Sequence, residues 1–505
     1  MSIIKSSILL VFFTGFNIVL SFSNQVVIAY LFGTSWEMDA YLAASALPLT
    51  LVGITSGGIG FVIVPMLTKY KDKPDELREL INALFSVVAF MALLVILFGS
   101  LCGKFIIGLI ASQLSVDKLG LAVKLVPMLW VMAALNMAGG FLISLQHLNK
   151  KFSIAAISLG IPTLGMIAGG LLFSRRMGIY SIVAGGVAGS VIQVLVLLTA
   201  TGCLKWFRLY FNLRHPEIKN ALFNIFPLAA SLLPFTVFPV IDVFWAADLP
   251  DGSISYLGYS LRIVTVLITI ASHSISVVIF PFLSEIAVNG EMTNLKEMIT
   301  KSIRAIYLLV FPMIMILIIL KVPIARIVFE RGSFDLNSTA GVTGVLPFYL
   351  IGMIGMAPMY VMIRTFYSLQ DFSGSAKLGL AGTVLYFLLG GLLVRYFSYM
   401  GIGFAYAIHW IIMFVVNCFV LGRKIGKIWN TEDFIFLVKI AAGTVITGVL
   451  VTLICKLLDR HFDVIISTAL PALAGILIFY AIHTSLIKVK EMKIITRTIA
   501  CKLGI

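Results

Sequence analysis

Arg262 and His273 stand inside an apolar run, 253–287, that is long enough to cross a bilayer at roughly 20 residues of about 1.5 Å rise each. An ionised side chain at the bilayer centre costs roughly 2.5–3.5 kcal/mol on insertion scales, so such residues mark candidate functional positions. The planar fork of arginine suits phosphate and diphosphate oxygens, and histidine can titrate. Asp242 follows three prolines (Pro227, Pro234, Pro239) in the preceding run, where an ion pair with Arg262 would offset the cost of burial. Asp39 opens an earlier apolar run, and Arg364 lies near the end of a later one. Asn17, Ser21 and Asn24 recur at i, i+4 and i+7, on one helical face, with Gln25 beside them. A few cations among amides and hydroxyls would suit an anionic head group that carries sugars. Each residue also has a plainer role: snorkelling for Arg262 and Arg364, a hydrogen-bonded core imidazole for His273, helix capping for Asp39, and interhelical hydrogen bonding for the amides.

The elements that must position these residues are membrane spans. The chain has 505 residues, 60% hydrophobic and 12% charged, with a mean hydropathy of +1.08, which fits an all-α polytopic membrane protein. Apolar run lengths predict about fourteen spans, at 7–32, 38–67, 78–101, 119–146, 153–173, 179–201, 220–247, 255–286, 302–320, 339–367, 375–396, 401–422, 433–456 and 464–486. Segments 104–112 and 322–329 read as interfacial helices. The first run is too long for the apolar core of a signal peptide and reads as a span. Five scattered cysteines without a CxxC indicate neither a disulfide framework nor a zinc site. The net charge of +15 is read as loop lysines and arginines obeying the positive-inside rule, with no nucleic-acid partner. Lys69, Lys71, Lys150, Lys205, Arg208, Lys301, Arg423 and the tail lie on the richer side, against Arg175, Arg176, Arg326 and Arg331. This places both termini in the cytoplasm.

The chain repeats itself. Tyr41 matches Tyr256 and Pro65 matches Pro281, at offsets of 215 and 216; Pro127 matches Pro347 and Phe152 matches Phe372, at 220. Gly-Gly-Leu-Leu at 169–172 recurs at 390–393, and Met177-Gly178-Ile179 recurs at 400–402. A series in order with slowly drifting offset predicts two parallel six-helix bundles, 1–201 and 220–423, joined by a cytoplasmic linker, 202–219. Two additional spans (424–486) and a basic cytoplasmic tail (487–505) follow. Parallel repeats of this kind hold their substrate between the halves.

The segments VLSFSNQVVIAYLFGTSWEMDAY (19–41), YLGYSLRIVTVLITIASHSISVVIFPFLSEIA (256–287), IVFERGSFD (327–335) and FYSLQD (366–371) resemble the MurJ/MviN family of lipid-linked glycan flippases, within the MOP superfamily. The resemblance covers nearly the whole chain. It implies alternating access around a cavity lined by the first, second, seventh and eighth spans. The implied substrate is an undecaprenyl-diphosphate-linked saccharide, lipid II or a related exopolysaccharide or surface-glycan precursor. The implied location is the bacterial cytoplasmic (inner) membrane. Candidate cavity residues are Asn17, Asn24, Gln25, Asp39, Asp242, Tyr259, Arg262, His273 and Arg364. The family's first-span pattern G-F-x-R-D reads Ser21-Phe22-Ser23-Asn24-Gln25 here, Ile18 and Val52 replace two further arginines, and Y-A-D-R-L reads Tyr259-Ser260-Leu261-Arg262-Ile263. These departures describe a divergent member.

A flippase is a transporter and not an enzyme, and no Walker motif points to ATP hydrolysis. No cofactor is expected; a coupling ion, Na+ or H+, is left open. The expected partners are the lipid-linked saccharide, membrane lipids and cell-envelope glycan synthesis enzymes, with the chain acting as a monomer. A cation-coupled multidrug exporter of the same superfamily is the alternative, with Asp39 and Asp242 as its candidate carboxylates. A membrane glycan polymerase or ligase would need catalytic acids on large loops, which the sequence lacks.

Overall fold

The computed structural model describes residues 3–486 except 150, 203–206, 209, 211, 213–214, 220–222, 224–234 and 459–463. Pro227, Pro234, much of the seventh expected span and the basic tail lie outside the described residues. The described residues form helices and no strands, and twelve of the helices are long and apolar enough to cross a membrane. The chain divides into two compact units. Unit 1 comprises Met1–Gly258, Arg331–Asp335 and Gly379–Phe387, and unit 2 comprises Tyr259–Glu330, Leu336–Leu378 and Leu388–Ile505.

Unit 1 holds α1 (Ile3–Phe32), α2 (Trp36–Thr68), α3 (Pro74–Ile110), α4 (Val116–Leu148), α5 (Phe152–Ser158), α6 (Ile161–Met177), α7 (Tyr180–Thr201) and α8 (Phe238–Ala246). Proline at the first position and Asp75 and Glu76 in the first turn start α3, since a missing N–H costs nothing there and acids suit the positive helix end. The expected interfacial helix at 104–112 is instead the last part of α3, one continuous helix of 37 residues. Gly99 and Gly103 explain the continuity: they lie directly against Trp130 and Val126 of α4, so the helix stays packed to its end. The expected fifth span is divided at Leu159-Gly160 into α5 and α6, where Pro162 removes a backbone donor.

α4 is the hub of unit 1 and packs on α2, α3 and α7. Asn136 of α4 donates to the Ser190 hydroxyl of α7 at 3.2 Å. α6 and α7 meet backbone to backbone: a Cβ on Gly165 would lie 2.3 Å from the Gly185 carbonyl oxygen, and one on Gly169 would lie 2.4 Å from that of Ser181. Small residues spaced by four permit this approach, which is how helices associate where the solvent is itself apolar.

Unit 2 begins inside α9 (Ser253–Ile268), which runs through a π turn (Thr269–His273) into α10 (Ser274–Val288). Then come α11 (Met292–Ile319), α12 (Lys321–Val328), α13 (Leu336–Ser368), α14 (Phe372–Phe397), α15 (Tyr399–Ile425), α16 (Thr431–Leu458) and α17 (Val464–Ala481). α12 is the expected short helix at 322–329. α13 is the hub of this unit, packing on α10, α11, α12 and α15. Asp371, in the FYSLQD motif, caps α14 by accepting from the Gly374 N–H at 2.9 Å. Partial burial raises its carboxyl pKa, but hydrogen bonds from Lys424 and Gly374 outweigh this and hold it below the ordinary carboxylate range. Arg304 of α11 binds Asp433 of α16 at 2.6 Å.

The α6–α7 contact generates a prediction. Gly185→Val would drive its Cβ to 2.2 Å from the Gly165 carbonyl oxygen and should destabilise by about 1–3 kcal/mol or more, as overpacking does. Gly108→Ala, in open space, should not. Thermal unfolding of the purified protein distinguishes the two, and equal midpoints would contradict this packing.

Candidate functional site

In unit 1, buried polarity converges on Asp39. Ser35 closes the first turn of α2 by accepting from the Met38 N–H at 3.3 Å, which leaves the carboxylate of Asp39 to serve a different helix. One oxygen accepts from the Ser255 N–H at 2.9 Å and its hydroxyl at 2.6 Å. The other accepts from the Gly252 N–H at 2.7 Å and the Lys118 ammonium at 3.0 Å. Gly252 and Ser255 form the entry to α9, so Asp39 is that helix's N-terminal cap, where the otherwise unmade N–H bonds and the positive dipole end favour an anion. Lys118, at the start of α4, is 4% exposed and bridges Asp39 to the exposed Asp251 at 2.8 Å. Gly252 takes φ +89°, the left-handed conformation that glycine adopts without strain. The capping role foreseen for Asp39 is thus real, but on another helix, and the sequence reading did not name Lys118.

A second tie joins the 331–335 part of the IVFERGSFD motif to α1. Ser333 donates its N–H to the Tyr30 carbonyl at 2.9 Å and its hydroxyl to the Leu31 carbonyl at 3.0 Å. These are carbonyls of the last turn of α1, which have no partner within the helix.

The other site residues of unit 1 are placed as follows. Asn17 donates to the Ala156 carbonyl of α5 at 2.7 Å. Asn24 is buried, with its amide nitrogen 4.0 Å from the Met166 sulfur of α6, and its Oδ1 has no hydrogen-bond partner among the described residues. Both amides therefore face α5 and α6. Gln25 is half-buried on α1. Asp242 of α8 is buried and accepts from the Tyr386 hydroxyl, and Tyr386 stacks on Phe238 at 4.0 Å.

Unit 2 carries a polar stripe between α10 and α13. Arg364 donates its Nε–H to the Ser276 hydroxyl at 3.1 Å, and its guanidinium lies 5.3 Å from the Phe280 ring centroid. The Ser276 hydroxyl donates to the His273 carbonyl at 2.8 Å. The His273 ring stands edge-on to Tyr360 at 5.6 Å. His273, which ends the π turn, shares one face with Ser276 and Phe280 of α10, and Tyr360 and Arg364 share one face of α13. The π turn ends at His273, and such turns are common at functional sites because the extra residue rotates the side chains that follow. The exposed His273 and half-buried Arg364 thus offer a titratable ring and a phosphate-binding fork side by side. Arg262 is half-buried on α9. Tyr259 is buried against Phe329 at 5.4 Å, a core position.

The Asp39 cluster generates a prediction. Lys118→Ala leaves a buried carboxylate without its cation and should cost about 3–5 kcal/mol. Asp39→Asn with Lys118→Met keeps an acceptor at the α9 entry and removes both charges, so it should recover much of that loss. Losses that simply add in thermal unfolding would contradict the cluster as one unit.

The model of the family described as "Lipid II flippase MurJ" matches residues 28–472. A probable lipid II flippase MurJ of Buchnera aphidicola is 26% identical over 467 residues, 89% of each chain. The lipid II flippase MurJ of Burkholderia cenocepacia is 23% identical over 384 residues, covering 73% of this chain and 74% of that one. Among solved structures, a lipid II flippase MurJ in an inward closed conformation superimposes with a TM-score of 0.79 at 22% identity, covering 95% of this chain and all of that one. An inward-facing multidrug resistance MATE transporter of the MOP superfamily follows at 0.67 and 12% identity, over 82% of this chain and 95% of its own. The all-helical membrane fold is therefore the one shared by MurJ and MATE proteins, and the match over 28–472 means that the chain belongs to the MurJ family.

Proposed function

We propose that this chain moves an undecaprenyl-diphosphate-linked saccharide across the bacterial cytoplasmic membrane by alternating access, with lipid II as the substrate. The observation that carries this reading is the family match across residues 28–472. The stripe of His273, Ser276 and Arg364 supports it chemically. The Arg364 guanidinium, set beside a hydroxyl and an aromatic face, has the planar fork that meets diphosphate oxygens in two parallel hydrogen bonds. The loop charges orient the chain with both termini in the cytoplasm. It acts as a monomer and receives its substrate from the enzymes that build the lipid-linked glycan. The likeness to MATE transporters, at 12% identity, concerns the fold and adds nothing for a multidrug substrate.

One observation favours a second reading within the same class. Asn24, at a position where the family resemblance leads to a charge, is buried against α6, and Ile18, Gln25 and Val52 are neutral. A site with fewer cations suits a lipid-linked exopolysaccharide or surface-glycan unit.

Depletion of the protein in its bacterial host, followed by mass spectrometry of undecaprenyl-linked intermediates, tests the proposal. Lipid II should accumulate and cells should lyse. Accumulation of a different lipid-linked glycan in viable cells would select the second reading, and unchanged intermediates would overturn both. In the same strain, Arg364→Ala should lower complementation at least tenfold, roughly the worth of one charge-assisted hydrogen bond, while Arg364→Lys retains part. Full complementation by Arg364→Ala would return this residue to a snorkelling role.

A further inference from the structure

Outside the residues discussed above, unit 2 contains an open cavity of about 340 Å³ where α12 meets the first turns of α13. Lys321, Arg326, Thr339 and Thr343 give it a polar side, and Val322 and Leu336 an apolar one. Its position follows from the chain. α11 ends at Ile319, α12 runs from Lys321 to Val328, and α13 begins at Leu336, so the cavity opens where two spans reach one membrane surface. α12 is held there by its apolar side, since Ile324 packs on the cluster of Met315, Ile316, Leu320 and Val451. Its basic residues are left at the boundary between head groups and acyl chains, the usual arrangement of an interfacial amphipathic helix.

The charges of the cavity do not cancel. Arg326 lies 3.5 Å from Glu330, and Glu330 also accepts from the Thr339 hydroxyl at 2.7 Å. Lys321 makes no ion pair among the described residues. Two cations and one carboxylate leave a net charge of +1 beside an apolar wall that includes the exposed Leu336 and Val322. A ligand complementary to this has a single negative charge, phosphate oxygens for Lys321 and Arg326, and hydrocarbon for the wall.

We propose that this cavity binds an anionic phospholipid, with its phosphodiester at Lys321 and Arg326 and its acyl chains along Val322 and Leu336. A zwitterionic lipid fits less well, because its own ammonium would meet the same cations. This site lies apart from the Arg364 stripe, and its occupant is a resident membrane lipid and not the transported glycan.

The test uses the full chain in detergent, with bound lipids counted by native mass spectrometry. The probes are phosphatidylglycerol, phosphatidylcholine of the same acyl chains, and inorganic phosphate. The wild type should retain phosphatidylglycerol at least fivefold better than phosphatidylcholine, the factor expected for about 1 kcal/mol per basic residue near an anionic lipid. Lys321→Glu should abolish the preference and Lys321→Arg should keep it. Arg326→Gln, a milder change, should reduce it, which covers the case in which Lys321→Glu does not fold. Equal retention of the two lipids by the wild type, or a preference that survives both Lys321→Glu and Arg326→Gln, would overturn the proposal. Competition by millimolar inorganic phosphate as strong as that by phosphatidylglycerol would also overturn it, by showing an anion site that makes no use of the acyl chains.

Discussion

A carboxylate buried in a membrane protein must be compensated on the spot, and Asp39 of α2 is compensated by two other helices at once. It belongs to the first turn of α2, accepts two backbone N–H bonds from the entry of α9, and pairs with the lysine that opens α4. The starting points of α2, α4 and α9 are thereby fixed against one another, because moving any of them leaves a charge or a buried N–H unmet. The sequence separations of those N–H bonds are 213 and 216 residues, close to the repeat offset of 215 seen in Tyr41 and Tyr256. Asp39 therefore caps the start of the very segment that repeats its own.

The same economy governs the rest of the fold. Several other helix ends are closed by side chains as well. Ser333 closes the end of α1, Ser35 the start of α2, and Asp371 the start of α14. Between the ends, each unit has a proline-bearing hub of 33 residues, α4 with Pro127 and α13 with Pro347 and Pro358. Glycine contacts such as Gly165 with Gly185 bring neighbouring backbones together. Within this background the stripe of His273, Ser276 and Arg364 stands out: polar side chains at a π turn, one of them exposed, beside the aromatic rings of Tyr360 and Phe280. A transporter needs such a stripe, since a charged head group crosses the bilayer only where the protein substitutes for water.

Much of this was legible in the sequence. Run length gave the spans, and most limits agree within a few residues because twenty apolar residues in a row have few other uses. Of the matched prolines, Pro127 and Pro347 fall in the two hubs, and Pro65 and Pro281 fall in α2 and α10. Run length alone did not show the division of α5 from α6, whose cue is Pro162 in the first turn of α6, or the continuity of α3, which depends on what lies beside Gly99 and Gly103. Lys118 was missed because a lysine at the edge of an apolar run looks like an ordinary loop charge. Its burial follows from a contact with Asp39 that is 79 residues away in sequence. The cues in retrospect were the Pro250-Asp251-Gly252 turn before α9 and an acid at the matching point of the first repeat. Asn17 and Asn24 were rightly placed on one face, but periodicity does not say which neighbour that face meets, and here it meets α5 and α6.

Whether this chain by itself carries a lipid-linked saccharide across a bilayer is decided by reconstitution. The purified protein would be placed in vesicles whose inner leaflet holds fluorescent lipid II, with an impermeant quencher outside. Protein-containing vesicles should expose the label to the quencher well above the rate of protein-free vesicles. Identical rates with and without the protein, for lipid II and for other undecaprenyl-diphosphate-linked saccharides alike, would contradict it.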